Sequence, residues 1–145
     1  MKRVLIRHKG SIKYATVDAE DFFLVSQYTW WLKGKGYVYT QTEGRRKKTV
    51  YLHRLILKAT DYQEIDHINR NPKDNRRSNL RFCTRSENNL NISNSHGVGR
   101  FRDKWRARIK KNRKEVHIGV FNTKKEAIEA RKKVETLFYP NFKRT

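Results

Sequence analysis

The sequence predicts an α+β fold in three successive parts. These are a β-rich N-terminal scaffold, a strand–loop–strand–helix module, and a three-stranded antiparallel sheet carrying one packed helix. Three observations predict it. In "GYVYTQTEGRRKKTVYLH", residues 36–53, two β-prone runs flank a polar, glycine-containing turn, the pattern of a hairpin. Thr84 followed by Glu87 reads as a capping box that opens a helix. "RFRDKWRARIKK" alternates, with Trp105, Ala107 and Ile109 on one face and Arg106, Arg108 and Lys110 on the other, the period of a half-buried strand.

Residues 1–60 make the scaffold. "KYATVDAEDFFLVSQYTWW" opens with a short strand into Val17, and Asp18 is placed to cap a helix over Ala19 to Tyr28. Val17 and Phe22 stand at the spacing of a hydrophobic staple. Trp30 and Trp31 are assigned to the core rather than to base stacking. After the hairpin, "LHRLIL" reads as one short buried helix.

Residues 61–94 hold little apolar material: a strand from Glu64 to Ile68, a long polar loop, a strand from Leu80 to Thr84, and a helix from Arg85. "ISNSHG" is the expected linker. Residues 95–145 continue with "NRKEVHIGVF" as turn and strand. A helix over "NTKKEAIEARKKVETLFYP" then carries Ala127, Ala130, Val134, Leu137 and Phe138 near helical spacing and is stopped by Pro140. That helix is expected to cover the Trp105 face and to leave the arginine face free.

The chain has 145 residues and a net charge of +21, with the cations spread through its whole length. Modules of roughly 40–60 residues bury little surface each, so the parts are expected to lean on one another or on a ligand. Seven Tyr, seven Phe and three Trp provide for real cores. A folded, strongly basic chain with aromatics points to nucleic acid. No run is apolar enough to span a bilayer, and "MKRVLIRHKG" lacks the apolar stretch of a signal peptide; a cytoplasmic protein without membrane contact is the expectation. Cys83 is the single cysteine, which excludes an intrachain disulfide and a four-cysteine zinc cage; it is expected as a small buried hydrophobe.

The segment "EIDHINRNPKDNRRSNLRFCTRSENNLN", residues 64–91, sets Asp66 beside His67 among recurring asparagines. Two readings stay open on chemistry alone. One is a turn-rich loop, which asparagine favours. The other is a hydrolytic centre: Asp66 on a strand and Asn88 on the following helix form a hard-oxygen pair suited to Mg²⁺. In it, His67, with an ordinary pKa near 6.5, deprotonates an attacking water. Asn79 then either orients the imidazole or bridges the loop, and Asn91, three residues after Asn88, stands behind it. An EF-hand is excluded by the missing glycine and the wrong oxygen spacing.

"HRLI…IDHINRNPKDNRRSNLRFCTRSENNLN" closely resembles the HNH homing endonucleases of phages and mobile introns. The resemblance implies a ββα-metal module over residues 61–94 that hydrolyses phosphodiester bonds, nicking or cutting both strands. It implies Asp66 and Asn88 as ligands of one divalent metal ion, Mg²⁺ with Mn²⁺ as second choice. It also implies His67 as the base that activates water, and Asn79 as its orienting partner. Arg70 stands where many relatives have glycine. His53, in "LHRLIL", recurs in that family and is a secondary candidate with Asn91.

"GVGRFRDKWRARIKKNRKEVHIGVFNTKKEAIEARKKVETLFY", residues 97–139, resembles the plant ethylene-response-factor (Apetala-type) DNA-binding domain. The resemblance implies DNA contacts from Arg100, Arg102, Arg106 and Arg108, with Lys110 on a phosphate. His8, His96 and His117 are expected at the surface or on DNA. The whole reads as a monomer acting on double-stranded DNA, in the host cytoplasm if phage-encoded. The competing reading is a sequence-specific DNA-binding regulator with an inactive HNH module.

Overall fold

The computed structural model describes residues 1–91, 97–111, 114–140 and 142; His96 and the rest of the expected linker at 92–96 lie outside them. The chain divides into two compact units, Met1–Phe82 and Cys83–Thr145, so the boundary falls within the segment expected to be the nuclease module.

The first unit is built on a five-stranded sheet. Strands β1 (Lys2–His8) and β2 (Ser11–Val17) form a hairpin, followed by α1 (Ala19–Ser26), β3 (Trp30–Lys33), β4 (Tyr37–Gln41), β5 (Thr49–Tyr51) and α2 (Leu52–Ile56). The strand order is β2-β1-β3-β4-β5, and only β1 and β3 run parallel, with α1 in the crossover between them. Strand alternation points Val4, Ile6, Ala15, Val17, Trp30 and Val38 inward, where they pack with Leu52 and Ile56. Strand β1 is an addition to the sequence reading. Its signal was local: Lys9 and Gly10 both take positive φ (41° and 76°), the two-residue turn geometry that joins tight hairpins.

Two expectations for this unit are corrected. Trp30 is core, 1% exposed, and its indole N–H donates to the Val25 carbonyl at 2.8 Å. Trp31 is 38% exposed, because neighbours on a strand face opposite ways and cannot both enter one core. Asp18 precedes α1 but makes no side-chain cap; its carboxylate accepts the Arg77 backbone N–H at 2.8 Å instead. Val17 and Phe22 do share the core, as the staple requires.

A two-stranded sheet follows, β6 (Glu64–His67) with β7 (Leu80–Cys83). A loop and a 3-10 turn (Arg77–Asn79) join them.

In the second unit α3 (Arg85–Asn91) starts at the predicted capping box. The Thr84 N–H donates to the Glu87 carboxylate at 2.7 Å, and the Glu87 N–H donates to Thr84 Oγ1 at 3.2 Å. Strands β8 (Val98–Phe101), β9 (Lys104–Lys111) and β10 (Lys114–Phe121) make an antiparallel sheet of order β10-β9-β8. Helix α4 (Lys124–Phe138), capped by Thr123 and Glu126, closes one face through Ala127 against Ala107 and Val98, with Trp105, Ile118, Phe121 and Ile128 around them. Leu137, expected inside, is 78% exposed; Arg131 and Glu135 are buried in its stead as an ion pair one helical turn apart.

Candidate active site

Asp66 and His67 end β6 and are both buried, each 5% exposed. The loop beyond them is clamped to the scaffold at two places. At the first, the Thr16 N–H donates to Lys73 O and the Asn75 N–H donates to Thr16 O, both at 2.8 Å. At the second, the Arg77 guanidinium grips Asp21 at 2.9 and 2.7 Å and reaches the Ile56 carbonyl at 3.2 Å. Asp21 is 4% exposed, and a buried carboxylate persists only with such a partner. Arg77 thus ties α1 and the end of α2 to the start of β7.

The asparagines separate by what they bond. Asn69 Oδ1 accepts from the Asn71 N–H at 2.9 Å and Asn71 Oδ1 from the Lys73 N–H at 3.1 Å, side-chain turns of the kind the loop reading expected. Asn79 bridges the loop: its Oδ1 accepts the Asn69 N–H at 2.9 Å and its Nδ2 donates to Asp74 O at 2.7 Å. Asn75, read from sequence as a loop former, is wholly buried. Its Oδ1 lies 3.2 Å from His67 Nε2.

That contact fixes a proton. Asn75 Nδ2 donates to the Pro72 carbonyl at 3.1 Å, so Oδ1 is the atom turned toward the imidazole. An oxygen accepts only, so His67 Nε2 carries the hydrogen and Nδ1 is the basic nitrogen. Burial holds the His67 pKa below the ordinary value, opposed by the Asn75 hydrogen bond and then by the Asp66 and Asp74 charges. The ring is therefore neutral at physiological pH, the form a general base needs.

His53, at the start of α2, packs edge-on against His67 with ring centroids 5.1 Å apart. It is 8% exposed, and its Nδ1 is buried without a hydrogen-bond partner among the described residues. Burial, then His67 and Arg54, push its pKa down to about 3. Tyr37 lies beside both imidazoles, 5.8 Å from His53 and 6.0 Å from His67, and Tyr51 stacks on His53 at 5.6 Å.

Asp66 Oδ2 accepts from Arg81 Nη2 at 2.7 Å and Nε at 3.0 Å. The Asp66 carboxylate is a hard-oxygen donor of the kind a divalent ion takes; Arg81 now occupies it as the cationic partner. Among the described residues no group of three or more His, Cys, Asp and Glu is placed to hold an ion. In the first unit, Asp66 is the carboxylate beside His67 that a resident ion would draw on, with water completing its shell. Asn88 is half-buried on α3 and Asn91 is buried there.

On the three-stranded sheet, Arg106, Arg108 and Lys110 share the face opposite Ala107 and Ile109, joined across β10 by His117. Arg108 pairs with Glu115 at 3.2 Å. Phe101 belongs to that face too, with the Arg106 guanidinium 5.2 Å from its ring. Arg102 sits in the β8–β9 turn at φ 56°. Arg100 stands apart, facing the Trp105 side with its guanidinium 5.1 Å from that ring.

The chain is 30% identical over 115 residues to a protein of Acanthamoeba polyphaga mimivirus described as an uncharacterized HNH endonuclease, an alignment covering 75% of this chain and 60% of the relative. No solved structure gives a significant match. Residues 50–90, which include Asp66, His67 and Asn79, match the model of the HNH endonuclease family.

Proposed function

We propose that the chain is a divalent-metal-dependent endonuclease that hydrolyses phosphodiester bonds of double-stranded DNA. The observation that carries this reading is the neutral, buried His67, whose Nε2 is held by Asn75 while Asp66 adjoins it. His67 Nδ1 takes a proton from water, the water oxygen attacks phosphorus, and the bond to the leaving sugar oxygen breaks, that oxygen regaining a proton from solvent. A bound Mg²⁺ or Mn²⁺ would supply Lewis-acid stabilisation of charge on the phosphate and the leaving oxygen. Asp66 is its carboxylate ligand in this reading and Asn88 its amide ligand. Asn79 acts at one remove, by setting the loop that presents Asn75.

Residues 97–139 are read as the DNA-binding part, similar to ethylene-response-factor domains. Supporting this are the sheet order and the apolar seat of α4. Arg106, Arg108 and Lys110 stand on the face opposite α4, and Arg102 at the turn. Duplex DNA also accounts for the +21 charge, since each neutralised phosphate releases counterions.

A second reading rests on the Arg81–Asp66 pair: were that pair permanent, the module would bind DNA without cutting it. Incubating supercoiled plasmid with the protein and Mg²⁺ decides. Open circles or linear product support the nuclease; intact plasmid in a protein that retards DNA supports the regulator.

A further inference from the structure

Most side chains on the outer face of the five-stranded sheet are exposed or half-buried among the described residues, and its composition is not that of an ordinary solvated face. Register fixes who shares it. Leu5 pairs with Tyr14, Arg3 with Thr16 and Arg7 with Ile12. Arg7 neighbours Trp31, Trp31 neighbours Tyr39 and Lys33 neighbours Tyr37, and Tyr39 neighbours Tyr51. Tyr14 is 50% exposed, Trp31 38% and Tyr37 39%. Among the described residues no Asp or Glu stands at a face position of these strands.

Cations and rings interleave there. The Arg3 guanidinium lies 5.9 Å from the Tyr14 ring, Lys33 Nζ lies 5.8 Å from the Tyr39 ring, and Trp31 and Tyr39 are 6.3 Å apart. The β4–β5 turn adds Arg45, Arg46, Lys47 and Lys48 at one end of the sheet. At the other end the face adjoins the candidate active site, with the Tyr37 ring 6.0 Å from His67 and Tyr51 stacked on His53.

We propose that this face is a second DNA-contact surface, which holds the duplex flanking the cleaved bond and feeds it to His67. Arg3, Arg7 and Lys33 bind phosphates; the tyrosine hydroxyls donate to phosphate oxygens, and Trp31 packs on the sugar edges. Five strands spaced about 4.8 Å apart span about 19 Å, the length of roughly six phosphates along one strand at about 3.4 Å each. Charge selects the occupant: a second copy of this chain would set like charges against each other, whereas a polyanion gains from all of them. The inference rests on the nuclease reading above, and the test separates the two.

The test uses the full chain and a fluorescent 30-base-pair duplex with divalent ions omitted, so that binding is read without cleavage. Affinity is followed against KCl for wild type, for Arg3→Gln/Arg7→Gln/Lys33→Gln, and for Trp31→Ala, with circular dichroism melts to verify folding. Losing three phosphate contacts should reduce the salt slope by about 2.7, at about 0.9 per contact, while both variants melt as wild type does. Trp31→Ala should weaken binding with the slope kept. A wild type that binds and cuts DNA, beside variants with unchanged slope and affinity, overturns the second surface and leaves the nuclease standing. A wild type that neither binds nor cuts overturns both. Variants that change sedimentation but not DNA affinity assign the face to protein contact and overturn the proposal.

Discussion

Asn75 Oδ1 faces His67 Nε2 at 3.2 Å, while the same amide's Nδ2 is spent on the Pro72 carbonyl. The histidine's tautomer is therefore set by a residue eight positions away whose own orientation is set by the backbone of the loop. Asn75→Ala removes the acceptor and leaves the ring free to adopt either tautomer. Cleavage under single-turnover conditions should fall about 10–100-fold, the usual cost of losing a partner that orients a reactive group. Asn75→Asp keeps an acceptor at Nε2 and should retain more activity than Asn75→Ala. Equal rates for Asn75→Ala and wild type would mean that the contact does not position the base.

His53 makes stability depend on pH. Its pKa is about 3 in the folded protein and about 6.5 when unfolded, so between these values the unfolded chain binds the extra proton. Stability is then fully present above about pH 6.5 and is lost as pH falls toward 3, by at most about 1.4 kcal/mol per pH unit for this one group. Burial of His67 acts in the same direction. Urea unfolding at a series of pH values should show the loss, and His53→Leu should flatten it. A slope unchanged by that substitution would remove His53 as its source.

Arg77→Met strips the buried Asp21 carboxylate of its guanidinium. Asp21 is buried but the Arg77 side chain is 44% exposed, so the loss is that of a buried acceptor left unsatisfied, about 1–3 kcal/mol, and here it also frees the turn before β7. Urea unfolding should show a loss of about that size. A loss within about 0.5 kcal/mol, the range of ordinary surface changes, would mean that the clamp contributes nothing.

Asp66→Ala should abolish cleavage and also leave Arg81, whose side chain is 19% exposed, without its carboxylate. A ligand that binds only the folded state raises its melting temperature. Mg²⁺ should therefore raise the wild-type midpoint and leave that of Asp66→Ala in place. Equal shifts in both proteins would place the ion elsewhere.

Gly97→Ala tests the second unit. At Gly97 φ is +88°, and an added Cβ would meet the Arg108 carbonyl oxygen at 2.2 Å and Arg131 Nε at 2.9 Å. Backbone cannot yield as a side chain tip does, so the substitution should cost about 2 kcal/mol or more, read as a lowered thermal midpoint. A midpoint equal to that of the wild type would contradict the close approach.

Features written in short-range pattern were legible in the sequence. The Thr84–Glu87 box, the alternation of β9 and the Val17–Phe22 staple each depend on residues within a few positions, and each element formed where the pattern put it. What escaped depends on partners distant along the chain or on parity. Asp18 looked like a cap because nothing local reveals Arg77, 59 positions on. Asn75 looked like any loop asparagine because its burial is decided by the return of the loop onto β2. The buried Arg131–Glu135 pair defeats a rule that reads charge as exposure. Trp31 was different, since strand parity alone forbids two successive tryptophans on one face, and that signal was available.

The central claim is that His67 is the base of a metal-dependent nuclease. Supercoiled plasmid incubated with wild type or His67→Ala, each with Mg²⁺ and with EDTA, tests it most directly. Open-circular or linear product is expected from wild type with Mg²⁺ only, and intact plasmid from His67→Ala, which still retards DNA in a gel. Cleavage by His67→Ala at the wild-type rate, or by wild type in EDTA, would contradict it.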